Sequence, residues 1–186
     1  MARQQIAYIM FAARQRTIRK TVTSDAAILL LQLLVLIGVA NGAALFGRTL
    51  LRDRFGARLD GGLDFFDGRP LLGPSKTIRG VVLALITTPA AAVLLGLDWP
   101  TGLTIAIFAM VGDVFSSFAK RRLGMPSSSQ AFGLDQIPEC LFPLLAVKGQ
   151  LMLEILEIVA VVVVFVVLEL AVSRVLYKFR LRDQPY

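Results

Sequence analysis

Between Ile158 and Leu168 every residue is apolar, eleven in a row in a chain of 186 residues. In water such a run must be buried on all sides. In a bilayer it needs only to be helical, because a helix satisfies its own backbone polar groups where no water is present to do so. A helix rises about 1.5 Å per residue and the hydrocarbon layer is about 30 Å thick, so about 20 mostly apolar residues cross it. Leu151 to Val175 and Ile28 to Phe46 both meet that length. Gly80 to Leu97 is slightly short but uncharged, and Leu103 to Phe118 is apolar apart from Asp113 and a few hydroxyls. A further segment from Leu134 or Ile137 to Val147 reaches spanning length only by joining the residues around Gln150 through a tight bend at Lys148 and Gly149. The pattern predicts an all-α, polytopic membrane protein with about five transmembrane helices and two cytoplasmic polar loops. With 56% hydrophobic residues the chain is more apolar than a soluble domain of this length requires.

Charge orients these spans. The stretch from Arg48 to Arg79 carries Arg48, Arg52, Arg54, Arg58, Arg69, Lys76 and Arg79, along with Asp53, Asp60, Asp64 and Asp67. Lys120, Arg121 and Arg122 follow the third span, and Arg174, Lys178, Arg180 and Arg182 end the fifth. The alternate connections, Asp98 to Gly102 and around Lys148, are nearly free of basic residues. Positive charge collects on the cytoplasmic side of membrane proteins, so both long loops and the C-terminus are expected there, and five spans then put the N-terminus outside. Arg3, Arg14, Arg16, Arg19 and Lys20 argue the other way. An amphipathic helix over Gln4 to Lys20, lying in the interface, accommodates them. The expected organisation is a basic interfacial segment over residues 1–25 and one membrane-embedded domain over 26–186, in the cell membrane, with its polar face toward the cytoplasm. The first long apolar stretch is a full span preceded by some 25 residues, so the N-terminus is read as retained rather than cleaved.

With no histidine and a single cysteine, Cys140, the chain has no internal disulfide, no thiolate or imidazole zinc site and no histidine-based phosphotransfer or hydrolysis. The chemistry must come from carboxylates, hydroxyls and cations.

Three segments offer them. GDVFSSFAKRRLG, Gly112 to Gly124, puts Asp113, Ser116, Ser117 and Lys120 on one helical face by their spacing. An acid inside a span costs about 3 kcal/mol or more without partners or water, so Asp113 either ties the bundle together or serves a site. DGRPLLGPSKTIRG, Asp67 to Gly80, has turn chemistry at Gly68 and Gly73 and feeds a helix expected to begin near Thr77. Such a loop, with Ser75, Lys76 and Thr77, can cradle phosphate through backbone N–H groups. It lacks the adjacent Gly-Lys of a Walker A loop, and taken alone it also fits an ordinary juxtamembrane turn with snorkelling cations. GLDQIPE, Gly133 to Glu139, places Asp135 and Glu139 at a helix start, where carboxylates also simply complement the dipole. Asp67, Asp113 and Asp135 together supply hard oxygen donors beside cations, a combination suited to magnesium and nucleotide phosphates.

These segments, with Asn41 and Gly42 late in the first span, resemble the CDP-archaeol synthase family in order and spacing from Asn41 to about Leu144. The resemblance implies transfer of CMP from CTP to a membrane lipid phosphate, either an archaeal-type ether lipid or phosphatidate, with release of pyrophosphate. It implies Mg2+, with Mn2+ an alternative, held by Asp113 and Asp135. Lys76 and Lys120 join these two as catalytic groups. Asn41, Asp67, Gly68, Gly73, Ser75, Thr77, Ser117, Arg121 and Gln136 are the implied substrate contacts. One departure stands out, because Pro138 occupies a position where related sequences often carry an acid, and Glu139 is the available substitute. CTP, the lipid phosphate and the bilayer are the expected partners, nucleic acid is not, and a homodimer is compatible. Two other classes compete. A non-catalytic assembly protein would use the basic loops only to grip anionic head groups, at about 1 kcal/mol per cation. A small transporter would also use an intramembrane acid, but no internal repeat is present and the polar residues gather at one face.

Overall fold

The computed structural model describes residues 24–43, 46–47, 56–129 and 131–178. The interfacial helix expected over Gln4 to Lys20 and the basic cluster Arg48, Arg52 and Arg54 lie outside these. Among the described residues the architecture is all-helical: α1 (Ser24–Ala43), α2 (Ile78–Leu94), α3 (Trp99–Arg122), α4 (Gln136–Leu151) and α5 (Ile155–Lys178). Three of them, α1, α3 and α5, are long and apolar enough to cross a membrane, while α2 is shorter and equally apolar.

The helix limits follow from local chemistry. Thr77 caps α2, its side-chain oxygen accepting from the Gly80 N–H at 3.3 Å. Pro100 follows the Asp98 cap of α3, in the first turn, where a missing N–H is harmless. The expected bend at Lys148 and Gly149 is absent. A lone glycine only weakens a helix, and α4 continues through both residues to Leu151, where Met152 in a left-handed conformation (φ 52°) reverses the chain. The fifth helix consequently starts at Ile155 rather than Leu151.

At the centre α3 packs against α2 on one side and α4 on the other, and α5 closes on α4. One apolar cluster joins Leu33, Leu36 and Ile37 of α1 to Ile105, Leu144, Val147, Val161 and Phe165. A second, built of small side chains, joins Ala40 and Ala43 to Ala84, Ala109 and Met110. Small residues let backbones approach where lipid gives no hydrophobic drive to association. Gly102 is one such contact, since a Cβ there would lie 2.6 Å from the Ala92 side chain and 2.7 Å from Pro89 Cα. Gly112 is another, where a Cβ would run into the Pro138 carbonyl and lie 2.8 Å from Glu139 Cα. Outward faces such as Ile28 and Leu31 of α1 and Val159, Val163 and Val167 of α5 stay exposed, as lipid-facing surfaces do.

Alternation of helix direction brings the end of α1, the start of α2, the end of α3, the start of α4 and the end of α5 to one end of the bundle. Both polar loops are therefore at that end.

Candidate active site

Asp60 organises the first polar loop. Buried to 6% exposure, its carboxylate accepts from the N–H groups of Gly62 at 2.9 Å, Leu72 at 3.0 Å and Gly73 at 2.9 Å. Burial alone would raise its pKa, but these backbone bonds outweigh burial and hold it below the ordinary aspartate value. Leu59 N–H donates to the Lys76 carbonyl at 2.9 Å and Ile78 N–H to the Ala57 carbonyl at 3.0 Å, tying the start of the loop to the start of α2. The Gly73 N–H, one of the backbone donors of the expected phosphate loop, is taken here by the Asp60 carboxylate. Gly73 is there for its backbone, at φ +93° and with the Ser127 hydroxyl 3.0 Å from where a Cβ would stand.

Arg69 and Arg122 clasp this loop to the end of α3. Arg69 donates to the Arg122 carbonyl at 2.6 Å, while Arg122 donates to the Pro70 carbonyl at 2.6 Å and pairs with Asp67. The Arg122 guanidinium also lies 4.6 Å from the Phe65 ring centre and 5.1 Å from that of Phe118. Asp67 thus serves as a loop anchor, also accepting from the Arg69 N–H at 3.1 Å, and Gly68 (φ +72°) completes its turn.

The loop delivers Lys76 into a cleft lined by Leu59, Ser75, Thr77, Met110 and Asp113, where Lys76 forms an ion pair with Asp113. Because Gly112 lets α4 approach so closely, Glu139 reaches hydrogen-bonding range of Asp113 and feels the charge of Lys76 as well. Glu139 is 9% exposed. Two carboxylates from facing helices and one lysine from the loop thus share one half-buried spot.

The second loop is held from the same face of α3. Lys120 donates to the Ser129 carbonyl at 2.9 Å and pairs with Asp135 at 2.7 Å. Arg121 donates to the Pro126 carbonyl at 2.9 Å. Asp135 also accepts from Ala131 N–H at 2.9 Å, and Gln136 accepts from Gly133 N–H at 2.8 Å. Asp113 and Lys120, seven residues apart, are separated by about 10 Å along the axis, so the two ion pairs are consecutive stations on one face. Ser117, between them, is buried. Among the described residues no three acids or cysteines are assembled around one point. Asn41, near the end of α1, has both amide atoms buried with no hydrogen-bond partner among the described residues, a costly state that a bound polar group would relieve.

Sequence reasoning passed over Asp60, Arg69 and Arg122, whose work is visible only once the loops are folded. It also passed over Glu169, partly buried on α5 about one turn beyond the buried Phe165 and interacting electrostatically with Glu139. An acid inside the most apolar span was the available signal.

Among the described residues, carboxylates and cations thus interleave at one end of an all-helical membrane bundle. The profile of the CarS-like family, CDP-archaeol synthase, matches residues 94–186. The CDP-archaeol synthase of Pyrobaculum calidifontis is 36% identical over 157 residues, which are 80% of this chain and 91% of that relative. That of Sulfurisphaera tokodaii is 32% identical over 154 residues, covering 80% and 89%. A solved structure, described as an intramembrane enzyme for archaeal membrane lipids biosynthesis, is 31% identical, with a TM-score of 0.65, and covers 76% of this chain and 90% of that one. The chain belongs to the CDP-archaeol synthase family and is a CTP-dependent cytidylyltransferase.

Proposed function

We propose that this enzyme transfers CMP from CTP to the phosphate of an archaeal-type ether lipid, forming a CDP-lipid and pyrophosphate, with its active site on the cytoplasmic side. The observation that carries the reading is the meeting of Lys76 and Asp113 in a cleft beside the GPSKT loop. The named relatives, all CDP-archaeol synthases, support the choice of lipid. The excess of basic residues at this end of the bundle supports the orientation.

The chemistry joins a lipid phosphate oxygen to the α-phosphorus of CTP while the bond to the β-phosphate oxygen breaks and pyrophosphate leaves with that electron pair. Both reactants are anionic, so the protein's task is to neutralise charge and align the two. Lys76, with Ser75 and Thr77 beside it, supplies the positive charge and hydroxyl donors for the triphosphate. Lys120 and Arg121 shape the second loop and add positive potential behind it. The lipid phosphate attacks in its ionised form, so the absence of histidine costs nothing. Asn41 serves as a substrate contact from α1, its unpartnered amide able to donate and accept.

The donor set fits magnesium. Asp113 and Glu139 offer hard carboxylate oxygens side by side, Asp135 offers another one station away, and the Lys76 ammonium here stands in for a cation beside Asp113. Mg2+, or Mn2+ in its place, would be held by Asp113 with Glu139 beside it, while Asp135, expected from the sequence to share the ion, is paired with Lys120 at the next station. When bound it supplies charge to the nucleotide oxygens.

Purified enzyme in detergent, given labelled CTP, Mg2+ and either an ether-lipid phosphate or phosphatidate, is expected to form CDP-lipid and pyrophosphate with the ether lipid preferred. No product from any lipid phosphate would sink the reading and favour an assembly role based on head-group binding. Equal turnover of phosphatidate would remove the choice of lipid.

A further inference from the structure

We infer that Asp60 is a positioning residue for nucleotide binding: its buried carboxylate locks the Leu72–Gly73 corner and thereby sets where Lys76 meets the triphosphate. The inference rests on the proposed reaction but adds to it a residue outside every motif that pointed to that reaction.

The geometry is a loop clamped at both ends. At one end the Asp60 carboxylate holds two consecutive N–H groups, those of Leu72 and Gly73. At the other, Leu59, next to Asp60 in the chain, donates its N–H to the Lys76 carbonyl. Leu59 itself lines the cleft, together with Ser75, Lys76 and Asp113. The segment Gly73-Pro74-Ser75-Lys76 is thus suspended between Asp60 and Leu59. Neither end of the clamp is a group that the triphosphate would contact, so the clamp acts through the loop.

A carboxylate suits this task for two reasons. Two consecutive backbone N–H groups converge on one carboxylate oxygen while the other accepts from Gly62, and bonds to a charged acceptor are the stronger kind. Removing those N–H groups from the cleft also leaves side chains, rather than Gly73 backbone, to hold the phosphates. A flexible corner would let the Lys76 backbone, and with it the ammonium paired with Asp113, wander. A locked one keeps the ammonium at a fixed place from which it can pass from carboxylate to phosphate.

Asp60→Asn keeps the shape but loses the acceptor's charge and sets an NH2 group against N–H groups on one side, those of Leu72 and Gly73 or that of Gly62, so the clamp loosens. The test combines steady-state kinetics with amide hydrogen exchange on the ligand-free enzyme. Expected for Asp60→Asn are faster exchange at Leu72 and Gly73, a KM for CTP raised about tenfold, the cost of a lost charged hydrogen bond, and kcat and the KM for lipid within about threefold of the unmodified enzyme. A merely structural role would lower the amount of active enzyme without splitting KM from kcat. Faster exchange with an unchanged KM for CTP overturns the positioning role, and unchanged exchange overturns the clamp itself. If Asp60→Asn does not accumulate folded, Gly73→Ala strains the same corner from its other side and carries the same expectations. An unmodified enzyme that makes no CDP-lipid refutes the reaction and this role together, while the exchange data still decide whether Asp60 holds the loop.

Discussion

The two ends of this bundle are built from the same helices and have opposite characters. At the end away from the site, Leu95–Asp98 and Met152–Glu154 make short connections. Gln150 there donates to the Thr101 hydroxyl and Thr101 pairs with Asp98, a closed polar knot with no cation in it. At the other end cations in the last turn of α3 grip backbone carbonyls of two long loops, Arg69 of the first loop grips α3 in return, and acids are shared between helices. The difference teaches that polar residues near the bilayer are affordable in either place, but only the looped end keeps groups whose partners are exchangeable. A lysine can leave Asp113 for a phosphate, whereas a threonine hydroxyl in a closed knot has nothing to exchange with.

That contrast is exposed to test most severely at Asp113 and Lys76. Asp113→Asn and Lys76→Met are each expected to cut kcat/KM for CTP by about a hundredfold or more, the scale of losing one electrostatic stabiliser of a transition state. Retention of near-full turnover by either variant would remove the cleft from the chemistry. Next in size is a matched pair. Gly112→Ala and Gly102→Ala insert the same methyl group into equally tight helix crossings, each costing about 1–3 kcal/mol by overpacking. Both should lower the melting temperature in detergent, but only Gly112→Ala should also reduce kcat, because it pushes Glu139 off Asp113. Equal loss of activity in the two would mean that the ends are not functionally distinct.

A smaller effect is expected at the clasp. Arg122→Lys keeps the charge but loses the planar fork and the stacking on Phe65 and Phe118, worth about 1 kcal/mol together. Protease nicking within residues 60–73 should rise and the KM for CTP should increase a few fold. The pH response is narrower still. The folded pKa of Asp60 lies below 3.8, so the stability it contributes is complete above that value and is lost as pH falls through the lower, folded value. Amide exchange at Leu72 and Gly73, corrected for its intrinsic pH dependence, should stay slow at pH 5 and accelerate only below about 4. The smallest effect belongs to Gln150→Leu, which removes about 1 kcal/mol of hydrogen bonding from the closed knot and should leave all kinetic constants in place.

The helical, membrane-embedded class was legible in the apolar runs alone, because the length needed to cross a bilayer is a one-dimensional property. The polar face of α3 was legible for a similar reason, since helical spacing places Asp113, Ser117 and Lys120 together whatever surrounds them. The phosphate-loop reading was legible in part. Lys76, Ser75 and Thr77 do line the cleft, but Gly73 does not offer its N–H, because Asp60, distant in sequence, has taken it. Glu139 was a substitute in the sequence and became Asp113's neighbour in the structure, for want of side chain at Gly112.

What the amino-acid order determined by itself is thus everything carried by a local period: helices, their apolar faces, their alternation of direction, and the end at which charge gathers. What only the tertiary structure decided is which charge meets which. Lys76 pairs with Asp113 and Lys120 with Asp135, Arg122 clasps the first loop, and Asp60 locks its corner. Electrostatic pairing depends on distance in space, and in a chain of five helices folded back on itself four times those distances are set by helix packing and loop closure rather than by separation along the sequence.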